Sequence, residues 1–129
     1  MDQTLLQIGE AIRRLKKEDP SKLAELLNSL TEQEAEQVFY TWQIWARPNQ
    51  IVKEYNEGWP ESIVVYSMGR GAGKSRLGSE WVRKKATHHR TQIALIAPTT
   101  ADTRDIMVLG PSGILAVHPN KDRPKYEPS

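Results

Sequence analysis

No cysteine occurs among the 129 residues, which excludes disulfides and cysteine-ligated metals. No apolar run approaches the length that crosses a bilayer. The polar N-terminus lacks the apolar core of a signal peptide. Apolar residues are sparse at 38%, so the core is expected to be lean. Neither sign of charge dominates: 18 Lys and Arg against 16 Asp and Glu leave a net +2. That mild excess is compatible with nucleic acid without requiring it. The expectation is a soluble intracellular chain with room for one domain of ordinary size.

What the chain does have is a glycine loop. Met68-Gly69-Arg70-Gly71-Ala72-Gly73-Lys74-Ser75 follows an apolar, strand-like run, Ser62-Ile63-Val64-Val65-Tyr66, and opens a helix-like segment from Lys74 towards Lys85. Gly73, Lys74 and Ser75 fit the end of the phosphate-binding pattern G-x-x-x-x-G-K-[ST], while Met68 stands at its first glycine. Gly69 and Gly71 can supply the positive φ angles and close backbone approach instead. In such a loop, backbone N–H groups and a helix N-terminus face an anion. Lys74 would reach the β- and γ-phosphates, and Ser75 would enter the Mg²⁺ shell. The dinucleotide pattern G-x-G-x-x-G is not made, because Lys74 replaces its third glycine. The bland alternative is a surface Gly-rich turn.

Residues 4–45 read as three helices. Leu5, Ile8, Ile12 and Leu15 recur at helical spacing, Asp19-Pro20 stops the first helix, and Ser21 is read as the cap of the second. Thr31 and Glu34 form a capping box before a third, with apolar positions Ala35, Val38, Phe39, Trp42 and Trp45. Pro48 breaks the pattern. A second strand is expected at Gln92-Ile93-Ala94-Leu95-Ile96-Ala97, then a cap at residues 99–102 for a short helix through Val108. A Gly110-Pro111-Ser112-Gly113 turn and an apolar Ile114-Leu115-Ala116-Val117 follow. The reading is α/β: an incomplete P-loop NTPase parallel sheet with helices on both faces (residues 47–129), preceded by an N-terminal helical segment (residues 1–46). Two strands alone leave both edges of a sheet bare. No apolar strand ending in an acidic pair follows, so the chain is expected to be the N-terminal piece of a longer protein, cut before the second acidic motif.

Several segments together resemble a family. Trp42-Gln43-Ile44-Trp45-Ala46-Arg47-Pro48-Asn49-Gln50 precedes the loop, and Gly78-Ser79-Glu80-Trp81-Val82-Arg83 follows it. Ala97-Pro98-Thr99, residues 101–107 and residues 110–115 complete the set. In this order and spacing they look like the large subunit of a tailed-phage terminase, over residues 42–129. The resemblance implies an ATPase that drives double-stranded DNA into a procapsid, with a nuclease domain that is absent here. It also implies ATP and Mg²⁺ as cofactors and contacts to the portal and the small terminase subunit. The working motor would be a homo-oligomeric ring in the host cytoplasm, at the procapsid portal, with no membrane. Gly69, Gly71, Ala72, Gly73, Lys74 and Ser75 would then hold the triphosphate and metal. Arg70 would face the transferring phosphoryl group, or else pack in the loop. Pro48 and Gln50 resemble an adenine-recognition element, or else simply end a helix. The chain alone is expected to turn over negligibly. Two rivals remain: a piece of a helicase-like or other P-loop ATPase, and a non-catalytic protein that binds partners through its N-terminal helices.

Other residues read more plainly. His88-His89 is expected to be a solvated helix end, Arg83-Lys84-Lys85 with Arg90 a solvated basic face or else a contact to DNA or a neighbouring subunit, and Arg76 a helix-surface residue. Trp42 and Trp45 are expected in a core, whereas Trp59 could stack on a base. Asp102 and Asp105 are read as helix caps before metal ligands.

Overall fold

The computed structural model describes residues 3–52, 64–88 and 92–128. The chain divides into two compact units, Met1–Ala46 and Arg47–Ser129.

In the first unit, α1 (Gln3–Glu18), α2 (Pro20–Ser29), α3 (Glu32–Tyr40) and α4 (Trp42–Trp45) surround a small core of Ile12, Val38 and Ile44. Leu5, Ile8, Leu23, Leu26 and Leu30 pack against it half-buried. Gly9 lets α1 come close to α4: a Cβ there would lie 2.9 Å from the Ile44 Cγ1. Arg13 then donates from Nε to the Ile44 carbonyl at 3.2 Å and from Nη2 to that of Gln43. These bonds satisfy carbonyls at the end of α4 that have no helical partner.

The caps refine the sequence reading. α2 is capped by Asp19, whose carboxylate accepts from the Lys22 N–H, with Pro20 in the first turn; Ser21 is already helical. The Thr31–Glu34 capping box forms as expected. The third helix does not run on to Trp45. Thr41 leaves helical geometry at ψ 96°, its hydroxyl donates to the Gln37 carbonyl at 2.6 Å, and α4 starts afresh. Phe39 is 57% exposed and Trp45 41% exposed, so neither is a core residue. Trp45 nevertheless donates its indole N–H to the Val38 carbonyl at 2.9 Å.

The second unit holds a 3₁₀ turn at Pro48–Gln50, the glycine loop, and α5 (Lys74–His88). α6 (Thr100–Asp102) follows and widens into a π-helical stretch, Thr103–Val108. Thr99 caps α6 by accepting from the Asp102 N–H at 3.0 Å. α7 (Ile114–Val117) packs against α5, with the π stretch beside both. The intervening turn needs its glycines for space. A Cβ on Gly113 would sit 2.6 Å from the Val108 carbonyl oxygen, and one on Gly110 2.8 Å from that of Asp105. Val117, fully buried, anchors α7.

The expected parallel sheet is not there. Among the described residues there is no strand and no sheet, and all regular structure there is helical. Ser62 and Ile63 lie outside the described residues; Val64, Val65 and Tyr66, and residues 92–97, have no regular structure. Val65 is 80% exposed and Ile96 84%. The physical reason is the one that made a two-strand sheet doubtful. A strand exists only through its ladder, and two short segments bury too little to offset the ordering of both. Among the described residues no helix is long and apolar enough to cross a membrane.

Candidate functional site at the glycine loop

The loop enters α5 through two left-handed residues, Gly71 at φ 75° and Gly73 at φ 85°. Between them the chain tightens, with the Ala72 N–H donating to the Gly69 carbonyl at 3.3 Å. The Gly73 carbonyl accepts the first bond of α5, from the Leu77 N–H at 3.0 Å. Lys74 and Ser75 thus occupy the first two helical positions, both exposed, and Arg70 is exposed at the loop's crown. The Lys74 ammonium turns back onto the loop and donates to the Met68 carbonyl at 2.7 Å and the Gly69 carbonyl at 2.8 Å. Met68, the departure from the phosphate-loop pattern, therefore contributes through its backbone, where side-chain identity matters little.

A second group of contacts reaches the loop from the 3₁₀ turn at Pro48–Gln50. Gln50 is only 5% exposed. Its Oε1 accepts from the Arg47 backbone N–H at 3.0 Å and from Arg47 Nε at 3.3 Å. Its Nε2 donates to the Ala72 carbonyl at 3.1 Å and, at the limit of 3.5 Å, to that of Gly73. Arg47 Nη2 also donates to the Ala72 carbonyl, at 3.0 Å. Any Cβ on Gly73 would collide with the Gln50 amide nitrogen.

Along α5, Glu80 is buried although charged. Arg76 Nη2 lies 2.7 Å from its Oε1, and Arg83 Nη1 3.6 Å from its Oε2. Burial holds the Glu80 carboxyl above its usual range, against the downward pull of Arg76, Arg83 and His118. Arg83 also donates to the Val117 carbonyl at 2.8 Å, tying α5 to α7. Arg76 and Arg83 are thus partly buried network members, not plain surface charges. The i, i+4 and i, i+3 spacing of Arg76, Glu80 and Arg83 was the available signal for this network.

The remaining candidates fall elsewhere. Asp102 bonds within its own cap, and Asp105 is held by Arg104 at 2.6 Å, which keeps its carboxyl below the usual range. Among the described residues no group of three or more His, Asp or Glu gathers as a metal site. His89, Arg90 and Trp59 lie outside the described residues.

The family described as terminase large subunit, T4likevirus-type, N-terminal, matches residues 65–129. The chain belongs to this terminase family. The match takes in the glycine loop, α5, the π stretch and α7 of this terminase chain. Arg47 and Gln50 lie outside the matched residues. No curated protein and no solved structure matches the chain.

Proposed function

We propose that residues 69–75 are a P-loop (Walker A) that binds ATP with Mg²⁺, as the nucleotide-binding part of a terminase motor. One observation carries the reading: within the family match, two left-handed glycines deliver Lys74 and Ser75 to the first turn of a 15-residue helix. The first amides of a helix have no intrahelical acceptor, and its dipole favours an anion there. The donor set fits a metal–triphosphate. Lys74 offers an ammonium with three N–H bonds, two of which meet loop carbonyls. Ser75 offers an exposed hydroxyl, the kind of single protein ligand Mg²⁺ accepts beside phosphate oxygens.

Lys74 would pair with the β- and γ-phosphates, Ser75 would hold the metal, and Arg70 would face charge developing on the phosphoryl group. When bound, Mg·ATP supplies the transferable phosphoryl group and the cation that neutralises it. Family membership supports double-stranded DNA as the cargo, and a portal, a small subunit and a ring of copies as partners.

The test is equilibrium binding of Mg·ATP to the 129-residue chain. Lys74→Ala should weaken it by about tenfold or more, the scale of a lost charge-assisted contact. Equal affinity in wild type and variant would sink the assignment.

A further inference from the structure

We propose that Arg47 and Gln50 are positioning residues that brace the phosphate loop, acting on its peptide planes and not on the nucleotide base. The proposal rests on the reading of residues 69–75 as a phosphate site. A trans peptide is planar, so its C=O and N–H point in opposite directions. Whatever holds the carbonyl of one residue therefore aims the N–H of the next. Arg47 Nη2 and Gln50 Nε2 both hold the Ala72 carbonyl, at 3.0 and 3.1 Å, and so orient the Gly73 N–H. Gln50 Nε2 also reaches the Gly73 carbonyl, shared with the Leu77 N–H, and so bears on the Lys74 N–H. These two amides are among those a phosphate would meet at the start of α5.

The chemistry of Gln50 favours this role over base reading. An amide side chain has two N–H bonds and an oxygen with two lone pairs. Here the oxygen takes two donors from Arg47, and the nitrogen faces two loop carbonyls. A base edge would gain this amide only by breaking the brace. Arg47 suits its part because a guanidinium is a fork, donating to Gln50 with one nitrogen and to Ala72 with another. A point charge such as Lys cannot span both. Gly73 completes the arrangement, since only a residue without Cβ fits against the Gln50 amide.

The experiment compares two ligands on the 129-residue chain: Mg·ATP and Mg·inorganic triphosphate, which has no base. Arg47→Lys keeps the charge at an exposed position, and Gln50→Met keeps the approximate size and neutrality but removes the amide donors and acceptor. Each variant should weaken both ligands by the same factor, about tenfold, the scale of a hydrogen bond with a charged or buried partner. Loss of ATP affinity alone, with inorganic triphosphate unchanged, would mean that these residues read the base, and would overturn the brace. Unchanged affinity for both would overturn it too. If wild type bound neither ligand, the phosphate reading itself would fall. A ligand-free measurement stands beside these: backbone order parameters of Gly71, Ala72 and Gly73 should drop in both variants, and rigid values matching wild type would also refute the brace.

Discussion

Gly69, Gly71 and Gly73 are equivalent in the sequence pattern but not in the structure. A Cβ on Gly69 would meet nothing within 4 Å, and its φ is not positive. Gly71 is equally open but sits at φ 75°, where an L-residue is strained. Gly73 combines φ 85° with direct obstruction by Gln50. Alanine substitutions should therefore rank in that order. Gly69→Ala should lie within about 0.5 kcal/mol of wild type. Gly71→Ala should cost about 1 kcal/mol, the left-handed penalty. Gly73→Ala should cost roughly 2–3 kcal/mol, because overpacking adds to strain. Urea unfolding of the three variants checks the series, and an inverted order would refute the geometry. At this scale the presence of a glycine loop was legible, since Gly, Lys and Ser are named by the chain. The division of labour among its glycines was not, because it depends on a glutamine 23 residues away.

The helices show how far local chemistry reaches. The Thr31–Glu34 box could be read directly because both partners lie within one turn and need no other part of the fold. It also has a pH signature. Thr31 donates backbone N–H and hydroxyl to Glu34, at 2.9 and 2.7 Å, and holds its carboxyl below the ordinary 4.5. A carboxyl lowered on folding contributes stability above its unfolded value, and that contribution is lost as pH falls through the folded value. Thermal melts between pH 7 and pH 3 should show an acid loss below about pH 4.5 that is smaller in Glu34→Gln, which still accepts the cap bonds but does not titrate. Identical acid profiles would count against the box. The break at Thr41 was not legible. Apolar spacing continues smoothly from Val38 to Trp45, and the interruption is a single residue whose own hydroxyl and N–H close α3.

For the whole molecule, the informative outcome is the missing sheet. Residues 92–97 keep a strand's alternation even so: Ile93, Leu95 and Ala97 are half-buried, while Gln92, Ala94 and Ile96 are exposed. Pattern sets which side chains can turn inward, but a ladder needs a partner strand. With none among the described residues, Val65 and Ile96 contribute little. Val65→Thr and Ile96→Thr should each change unfolding free energy by less than about 0.5 kcal/mol. A loss of 2 kcal/mol or more, the scale of a buried apolar side chain, would show that these residues are packed after all.

The sequence by itself determined what depends on neighbours within a turn or two: the Thr31–Glu34 capping box, the helix that starts at Lys74, the glycine loop and the family it belongs to. Only the tertiary structure decided the rest. It turned the Lys74 ammonium onto Met68 and Gly69, buried Glu80 between two arginines, and set Gln50 and Arg47 against Ala72. Among the described residues it also left 64–66 and 92–97 without a strand partner. The spacing of Arg76, Glu80 and Arg83 allows their pairing, but the burial of Glu80 and the meeting of Gln50 and Arg47 with Ala72 are set by chain closure and packing, which local spacing does not write.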